Sequence, residues 1–489
     1  MKGNSSVKYK TLSGFAWKFG ERISAQLVSF IVSIILARIL SPEHYGIVAM
    51  VTVFINIANV FVTSGFSTSL IQKKDASETD FSTIFYCSLA VSVILYLILF
   101  LLAPIIADFY DEQLLTSVIR VFSIKILISA YNSVQHAYVS RHMLFRKFFF
   151  STLIGTIVSG VIGIIMAYMG FGVWAIVSQY LVNSMMDTIV LAFTIPWKPR
   201  IVFSYSSAKS LMNFGWKILA ADLIGTIFNN LRSLLIGKIY TSADLAYYNK
   251  GQQIPNLIST NVDSTINSVL FPVISNENSD LHRVKQLTRQ SMKVSSFIIF
   301  PLMAGLAAVA EPLTVLLLTE KWKPMVPYMQ LLCISNALGT ITNVNLQSMR
   351  AVGSSDVVLK LELIKKPIAL IIILVAVKIN VFAVAVSMPV YSLCAAIINM
   401  QPNNRLFDYS MKEQILDLLP ATLLSLLTFV IASIPLNIGL NTILTLMIQV
   451  IIGGVVYIGL AALFKVDTFC YLFSTIKKIL FGSKKHLDK

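Results

Sequence analysis

Charged residues are scarce in this chain: 13% of its 489 residues are Asp, Glu, Lys or Arg, about half the share usual in soluble domains. So few charges exclude an ordinary water-soluble domain of this size. Cysteine is scarcer still. Cys87, Cys333, Cys394 and Cys470 are scattered without metal-ligand spacing, so neither a disulfide framework nor a zinc site is expected. The histidines at 44, 136, 142, 282 and 486 form no HExxH or other paired spacing, and the glycines build no phosphate-cradling loop. No catalytic residue, metal site or cofactor is therefore expected. No cleavable signal is expected either, since Lys2, Lys8 and Lys10 precede a first hydrophobic segment too long and too polar for a signal core.

What the chain has in excess is apolar sequence, 56% hydrophobic with a mean hydropathy of +0.76. Apolar runs of roughly 20 residues recur along its length, which matches a hydrocarbon core ~30 Å thick at 1.5 Å of rise per residue. Such runs must be helices, because an isolated span has to satisfy its own backbone hydrogen bonds in lipid. The expected fold class is all-α, a polytopic membrane protein of about fourteen transmembrane helices. The spans are placed near residues 13–40, 43–69, 82–107, 113–138, 148–168, 172–195, 208–238, 243–273, 290–310, 325–349, 357–378, 380–400, 414–435 and 440–464. With both termini inside, about 25 of the 39 Lys and Arg fall in or beside inner segments and about 5 beside outer loops. The formal net charge of +16 is thus mostly a topology signal, and no nucleic acid is implied.

Two stretches echo each other. "FAWK" at 15–18 returns as "FGWK" at 214–217, and "ARILSPEHYG" at 37–46 has a counterpart in "GKIYTSADLAYY" at 237–248. The offset covers six helices, an even number, so the repeats are parallel. This predicts a six-helix bundle over 1–200, a second over 201–405 related to it by a pseudo-twofold axis, and a central cleft. Two additional helices over 406–466 and a basic amphipathic cytoplasmic tail over 467–489 complete the plan. The Pro-containing segment 195–209 reads as the connector of the bundles, and the tail, with Lys477, Lys478, Lys484 and Lys485, as an anchor on an anionic membrane surface.

Ionisable residues inside the spans are the candidate functional groups, since each costs about 2.5 to 3.5 kcal/mol at the bilayer centre on insertion scales. Lys18, Arg22, Gln26, Ser29 and Ser33 recur at helical spacing on one face, as do Lys125, Ser129, Asn132 and His136, with Arg120 nearer the outer end. The seventh span offers Asp222, Asn229 and Arg232, and the eighth Lys250, Gln253, Asn261, Ser264 and Ser268. Embedded cations, namely Lys18, Arg22, Arg120, Lys125, Lys217, Arg232 and Lys250, outnumber the acids Glu21, Asp187, Asp222 and Asp263. A cleft with that surplus suits an anion, phosphate in particular. Lys18, Lys217 and Lys250 also have a plain alternative as snorkelling side chains, and His136 one as a hydrogen-bonded packing residue. Lys365 and Lys366 are deep or interfacial depending on where their helix begins.

At "ILARILSPEHYGIVAM" (35–50), "STSLIQKKD" (67–75) and "AYYNKGQQIPNL" (246–257) the chain resembles the polysaccharide transporters of the MOP (MATE-like) flippase superfamily, and especially their Wzx branch. The resemblance implies a bacterial inner-membrane flippase carrying undecaprenyl-diphosphate-linked oligosaccharide to the periplasmic leaflet for O-antigen, capsule or exopolysaccharide assembly. Membrane lipids, and a polysaccharide polymerase with its chain-length machinery, would be partners. The resemblance also points to Arg22 and Lys250 as headgroup contacts, although Lys250 is not the family's arginine. Together with the spacing argument it gives these expectations: a cationic cleft of Arg22, Lys125, Arg232, Lys250, Lys18 and Arg120; sugar contacts from Gln26, Asn132, Asn229, Gln253 and Asn261; and ion coupling or charge pairing at Glu21, Asp222 and Asp263. The alternatives are a MATE-like multidrug or cation antiporter, which needs an acidic cleft, and a membrane glycosyltransferase or polymerase, which needs larger outer loops or an acidic pair.

Overall fold

A computed structural model describes residue 20 and residues 24–73, 75–277 and 280–482. All of its regular structure is helical: α1 Ser24–Ile39, α2 Pro42–Gln72, α3 Glu78–Tyr110, α4 Leu114–Phe122, α5 Ile124–Arg141, α6 Phe145–Tyr168, α7 Val173–Thr194, α8 Tyr205–Ile239, α9 Ser242–Asn276, α10 Leu281–Ala308, α11 Ala310–Leu318, α12 Val326–Ala351, α13 Ser355–Ala376, α14 Val381–Met400, α15 Asn403–Phe407, α16 Met411–Ser433, α17 Thr442–Leu463 and α18 Asp467–Gly482. Among the described residues, ten helical stretches are long and apolar enough to cross a membrane: α2, α3, α4 with α5, α6, α7, Gly215–Ile239 of α8, α10, α14 with α15, Met411–Leu436, and α17. The chain is a multi-pass membrane protein. The other four expected spans also fall on helices, α1, α9, α12 and α13, which are shorter or more polar.

Helix starts follow from local chemistry. Ser77 Oγ accepts the backbone N–H of Asp80 at the head of α3 while Asp80 reaches back to Ser77, and Ser410 and Glu413 do the same at the head of α16. Asp280 and Asn441 cap α10 and α17. Many apolar side chains remain exposed on long helices, such as Leu101, Ile105, Val455 and Ile458, as expected where the solvent is lipid.

The chain divides into two compact units, Met1–Ala246 and Tyr247–Lys489. This division falls inside α9 and leaves α8 with the first unit. There α2, α3, α5, α7 and α8 bury Leu70, Phe81, Ile84, Val134, Leu191, Trp197 and Leu211 in one core. The segment after α7 is strapped to the head of α3: the backbone N–H of Arg200 donates to Ser82 Oγ (3.1 Å), that of Ser204 to Thr83 Oγ1 (3.1 Å), and Arg200 pairs with Glu78 (2.6 Å). In the second unit, Leu270, Ile274, Met292, Phe300, Ile341, Val344, Met400 and Tyr409 form the main core. Phe469 and Leu472 of α18 pack against Phe297, Leu424 and Tyr457, so the tail helix is partly seated on protein; Lys484 and Lys485 lie outside the described residues.

One close helix contact of the first unit is built on a pair of glycines. A Cβ on Gly215 would lie 2.5 Å from the Gly65 carbonyl oxygen, and one on Gly65 would lie 2.9 Å from that of Gly215. Ser69 Oγ crosses the same contact to the Leu211 carbonyl (3.1 Å). Only a missing side chain lets α2 and α8 approach so closely, as small residues do in membrane helix packing generally. Gly215→Val is expected to force the helices apart and destabilise the protein by about 1 to 3 kcal/mol, the usual cost of overpacking. Thermal unfolding in detergent measures this; a midpoint equal to that of the parent would contradict the contact.

Candidate transport site

The candidate residues of the first unit lie on α1, α4, α5 and α8. Lys18, Glu21 and Arg22 fall outside the described residues, and Gln26 is half-buried on α1. Arg120, in the last turn of α4, is held by α3: its guanidinium lies 4.5 Å over the Phe100 ring, and Nε donates to the Phe100 carbonyl at 3.3 Å. Lys125, one turn into α5, is half-buried with its ammonium 5.3 Å from the Tyr180 ring and 5.8 Å from the Phe122 ring. Among the described residues it forms no ion pair with a carboxylate. Aromatic faces stabilise a cation by about 0.5 to 2 kcal/mol, which orients this ammonium without neutralising it. Asp222 and Asn229 are exposed on α8, and Arg232, half-buried, follows them at helical spacing on the same face.

Further along α5, Asn132 donates from Nδ2 to Asp187 Oδ2 of α7 (2.8 Å), and His136 Nε2 meets the same oxygen at 2.8 Å. The sequence places Asn132 and His136 four residues apart on one face but gives no sign that Asp187 is their partner. As a result the Asn132 amide is already engaged in the protein.

In the second unit, Lys250 donates to Gln253 Oε1 (3.2 Å) and lies 5.9 Å from the Trp322 ring. The short turn carrying Trp322 is fixed by Lys323 and Glu311, 2.6 Å apart, a hydrogen bond that raises the Lys323 ammonium above its ordinary pKa. Asn261 donates to the Leu257 carbonyl of its own helix (2.7 Å). Asp263, half-buried, accepts from Ser259 Oγ (3.3 Å) and from Thr340 Oγ1 (3.5 Å). Asn336 donates to Asn256 (3.0 Å) and Asn267 to Asn343 (3.3 Å). The pairs 256/336, 263/340 and 267/343 ascend together, so α9 and α12 run in the same direction along a polar seam. Residues 336, 340 and 343 are spaced at i, i+4 and i+7, a signal present in "SNALGTITN" that the candidate residues did not include.

Two further charged groups are settled by geometry. Helix α13 begins at Ser355, so Lys365 lies deep; it is 2% exposed and paired with Glu362 at 2.6 Å. On α10, Lys285, Arg289 and Lys293 form a stripe at four-residue spacing. Lys285 pairs with Glu413 (3.0 Å), while Arg289 grips Asp417 through Nε (2.6 Å) and Nη2 (2.9 Å). Lys293 and the Tyr409 hydroxyl complete the shell of Asp417 at 3.2 and 2.9 Å. These cations join α10 to α16 and are neutralised locally.

Residues 35–327, more than half of the chain, match the model of a family described as polysaccharide biosynthesis protein. The chain belongs to that family. It is similar to the succinoglycan biosynthesis transport protein ExoT of Rhizobium meliloti, at 26% identity over 74% of this chain and 73% of the relative. It is also similar to the lipopolysaccharide biosynthesis protein WzxC of Escherichia coli, at 22% identity over 74% of each. In fold it matches the lipid II flippase MurJ in an inward closed conformation, with a TM-score of 0.75 at 14% identity over 93% of this chain and 99% of the other. Family and fold therefore agree with the resemblance drawn from the sequence.

Asp417 is 4% exposed and holds two cations. Removing one partner of a buried pair costs about 3 to 5 kcal/mol, but Arg289 is 42% exposed and can be rehydrated, so Asp417→Ala is expected to cost about 2 to 3 kcal/mol. Unfolding in detergent, with Asp417→Glu as the milder control, checks this. An unchanged midpoint in Asp417→Ala would contradict the packing role of the cluster.

Proposed function

We propose that this chain is a flippase that moves undecaprenyl-diphosphate-linked oligosaccharide from the cytoplasmic to the periplasmic leaflet of a bacterial inner membrane, by alternating access and with both termini cytoplasmic. The observation that carries this is Lys125: a half-buried cation on a membrane helix, oriented by two aromatic rings and without a carboxylate partner among the described residues. An ammonium in that setting gains most from an anion that arrives and leaves, and a diphosphate supplies one. The family supports a polysaccharide role, and the names of the relatives support transport of its precursors.

In this scheme Lys125 and Arg232 of the first unit are candidate contacts for the diphosphate, with Arg22 and Lys18 as further candidates from the sequence, and Lys250 is a candidate of the second unit taken by itself. The exposed amide of Asn229 and that of Gln26 in the first unit, and that of Gln253 in the second, are candidate contacts for sugar hydroxyls, while the polyprenyl chain stays in lipid. Arg120 is set apart, because α3 already holds its guanidinium. An inside-negative potential favours outward movement of the headgroup by about 2.3 kcal/mol per charge per 100 mV if the whole field is crossed. Export of a cationic drug is disfavoured: Asp187, the embedded acid of α7, is already occupied by Asn132 and His136.

Reconstitution into vesicles with a fluorescent polyprenyl-diphosphate-linked monosaccharide tests this. Lys125→Met, Arg232→Gln and Lys250→Met are each expected to slow movement about tenfold or more, the loss of ~1.4 kcal/mol or more of headgroup interaction. Arg120→Gln is expected to stay within about twofold of the parent, the effect of a surface-like change. Movement at the parental rate by folded Lys125→Met would remove the headgroup assignment.

A further inference from the structure

Residues 251–276 of α9 include one charged side chain, Asp263, and no lysine or arginine. Asn256, Thr260, Asp263 and Asn267 recur at spacings of four, three and four residues, which places them on one face. Asn256 and Thr260 are exposed there, and Asp263 and Asn267 are half-buried. Lipid cannot satisfy such a face, so it borders water as well as protein. Helix α12 supplies the protein side, through Asn336, Thr340 and Asn343.

The contacts between these two helices leave hydrogen-bonding capacity unused. Asn336 Nδ2 donates to Asn256 Oδ1 (3.0 Å) and to the Leu332 carbonyl (2.9 Å), and among the described residues the Asn256 amide N–H groups and Asn336 Oδ1 have no partner. Asn267 donates to Asn343 Oδ1 (3.3 Å), while its own Oδ1 is buried and without a hydrogen bond. Asp263 takes one hydroxyl on each oxygen, Ser259 on Oδ2 at 3.3 Å and Thr340 on Oδ1 at 3.5 Å, with Asn343 beside it. A carboxylate accepts about four hydrogen bonds, so this one has room for a further donor. Among the described residues Asp263 forms no ion pair. Arg350, the one charged residue of α12, stands ten positions beyond Thr340, about 15 Å along the axis. An embedded carboxylate kept unpaired is costly, and such residues mark a ligand path.

We propose that the seam of α9 and α12 is a glycan subsite in which Asp263 accepts from two adjacent sugar hydroxyls, and that it selects lipid-linked sugars carrying a free vicinal diol; this rests on the flippase function proposed above. A hydroxyl both donates and accepts, so two neighbouring ones can donate to the carboxylate while one accepts from the Asn343 amide. Bonds to a charged acceptor are about twice as strong as neutral ones, which lets the site tell a hydroxyl from a hydrogen at those positions. Asn256 lies seven residues before Asp263, about 10 Å along the helix, too far to reach the same diol. Its N–H groups and Asn336 Oδ1 therefore meet a neighbouring sugar, and the seam reads an oligosaccharide rather than a single ring. A sugar that lacks both hydroxyls displaces water from the carboxylate without replacing its hydrogen bonds, and is carried poorly.

The test uses the full chain in vesicles with two fluorescent probes, a polyprenyl-diphosphate-linked hexose and its 3,4-dideoxy analogue. The diphosphate and the lipid are common to both, so the ratio of their rates isolates the diol. The parent is expected to move the hexose about tenfold or more faster than the analogue, well within what a hydrogen-bonding site achieves. In Asp263→Asn, which retains the shape and loses the charge, that ratio falls to about threefold or less, because the hexose slows more than the analogue. Asp263→Glu, which keeps the charge and displaces the oxygens by a methylene, behaves likewise and covers the case in which Asp263→Asn does not fold. Such a fall in a folded variant supports the subsite. A parental ratio in either folded variant, arrest of both probes by either, or equal rates in the parent overturns it and leaves the flippase function standing. A parent that moves neither probe overturns both.

Discussion

A positive charge inside a low-dielectric helix bundle must find a counter-charge, water or an aromatic face, and the embedded cations among the described residues meet this need in different ways. Arg289 and Lys293 close on Asp417, Lys365 on Glu362, and Arg120 on a carbonyl and a ring. Lys125 lies against two rings and, among the described residues, has no carboxylate partner. Burial without a paired charge is unfavourable for a structural residue and useful for one that binds an anion in passing. The proposed transport function depends on that difference.

The same principle explains how tightly the helices are arranged around these groups. Gly65 and Gly215 let α2 and α8 touch backbone to backbone, and the Lys285, Arg289 and Lys293 stripe fixes α10 to α16. The polar seam between α9 and α12 satisfies side chains that lipid could not. Membrane helices gain little from apolar attraction to each other, so close packing and polar pairing must hold them. Lys125 can stand without a carboxylate partner among the described residues where these contacts keep the frame in place.

Much of the fold was legible because hydropathy reports span length directly. Among the described residues, ten of the expected spans fall on helical stretches long and apolar enough to cross a membrane, whereas α9, α12 and α13 are too polar, and the described α1 too short, to meet that measure. The candidate faces were legible in part: the four-residue spacing of Asn132 and His136 does place both on one carboxylate. Partners were not legible, because pairing across helices depends on rotation and depth, which spacing along one helix does not encode. Asp187 for His136, Asp417 for Arg289 and Thr340 for Asp263 are all of this kind.

The central claim is that Lys125 recognises a diphosphate-bearing lipid head. It is tested most directly by the affinity of the purified protein for polyprenyl diphosphate and polyprenyl monophosphate, compared between the parent and Lys125→Met. The account predicts that the parent prefers the diphosphate by about tenfold, ~1.4 kcal/mol, and that Lys125→Met loses most of that preference while remaining folded. An undiminished preference in Lys125→Met, or none in the parent, would contradict it.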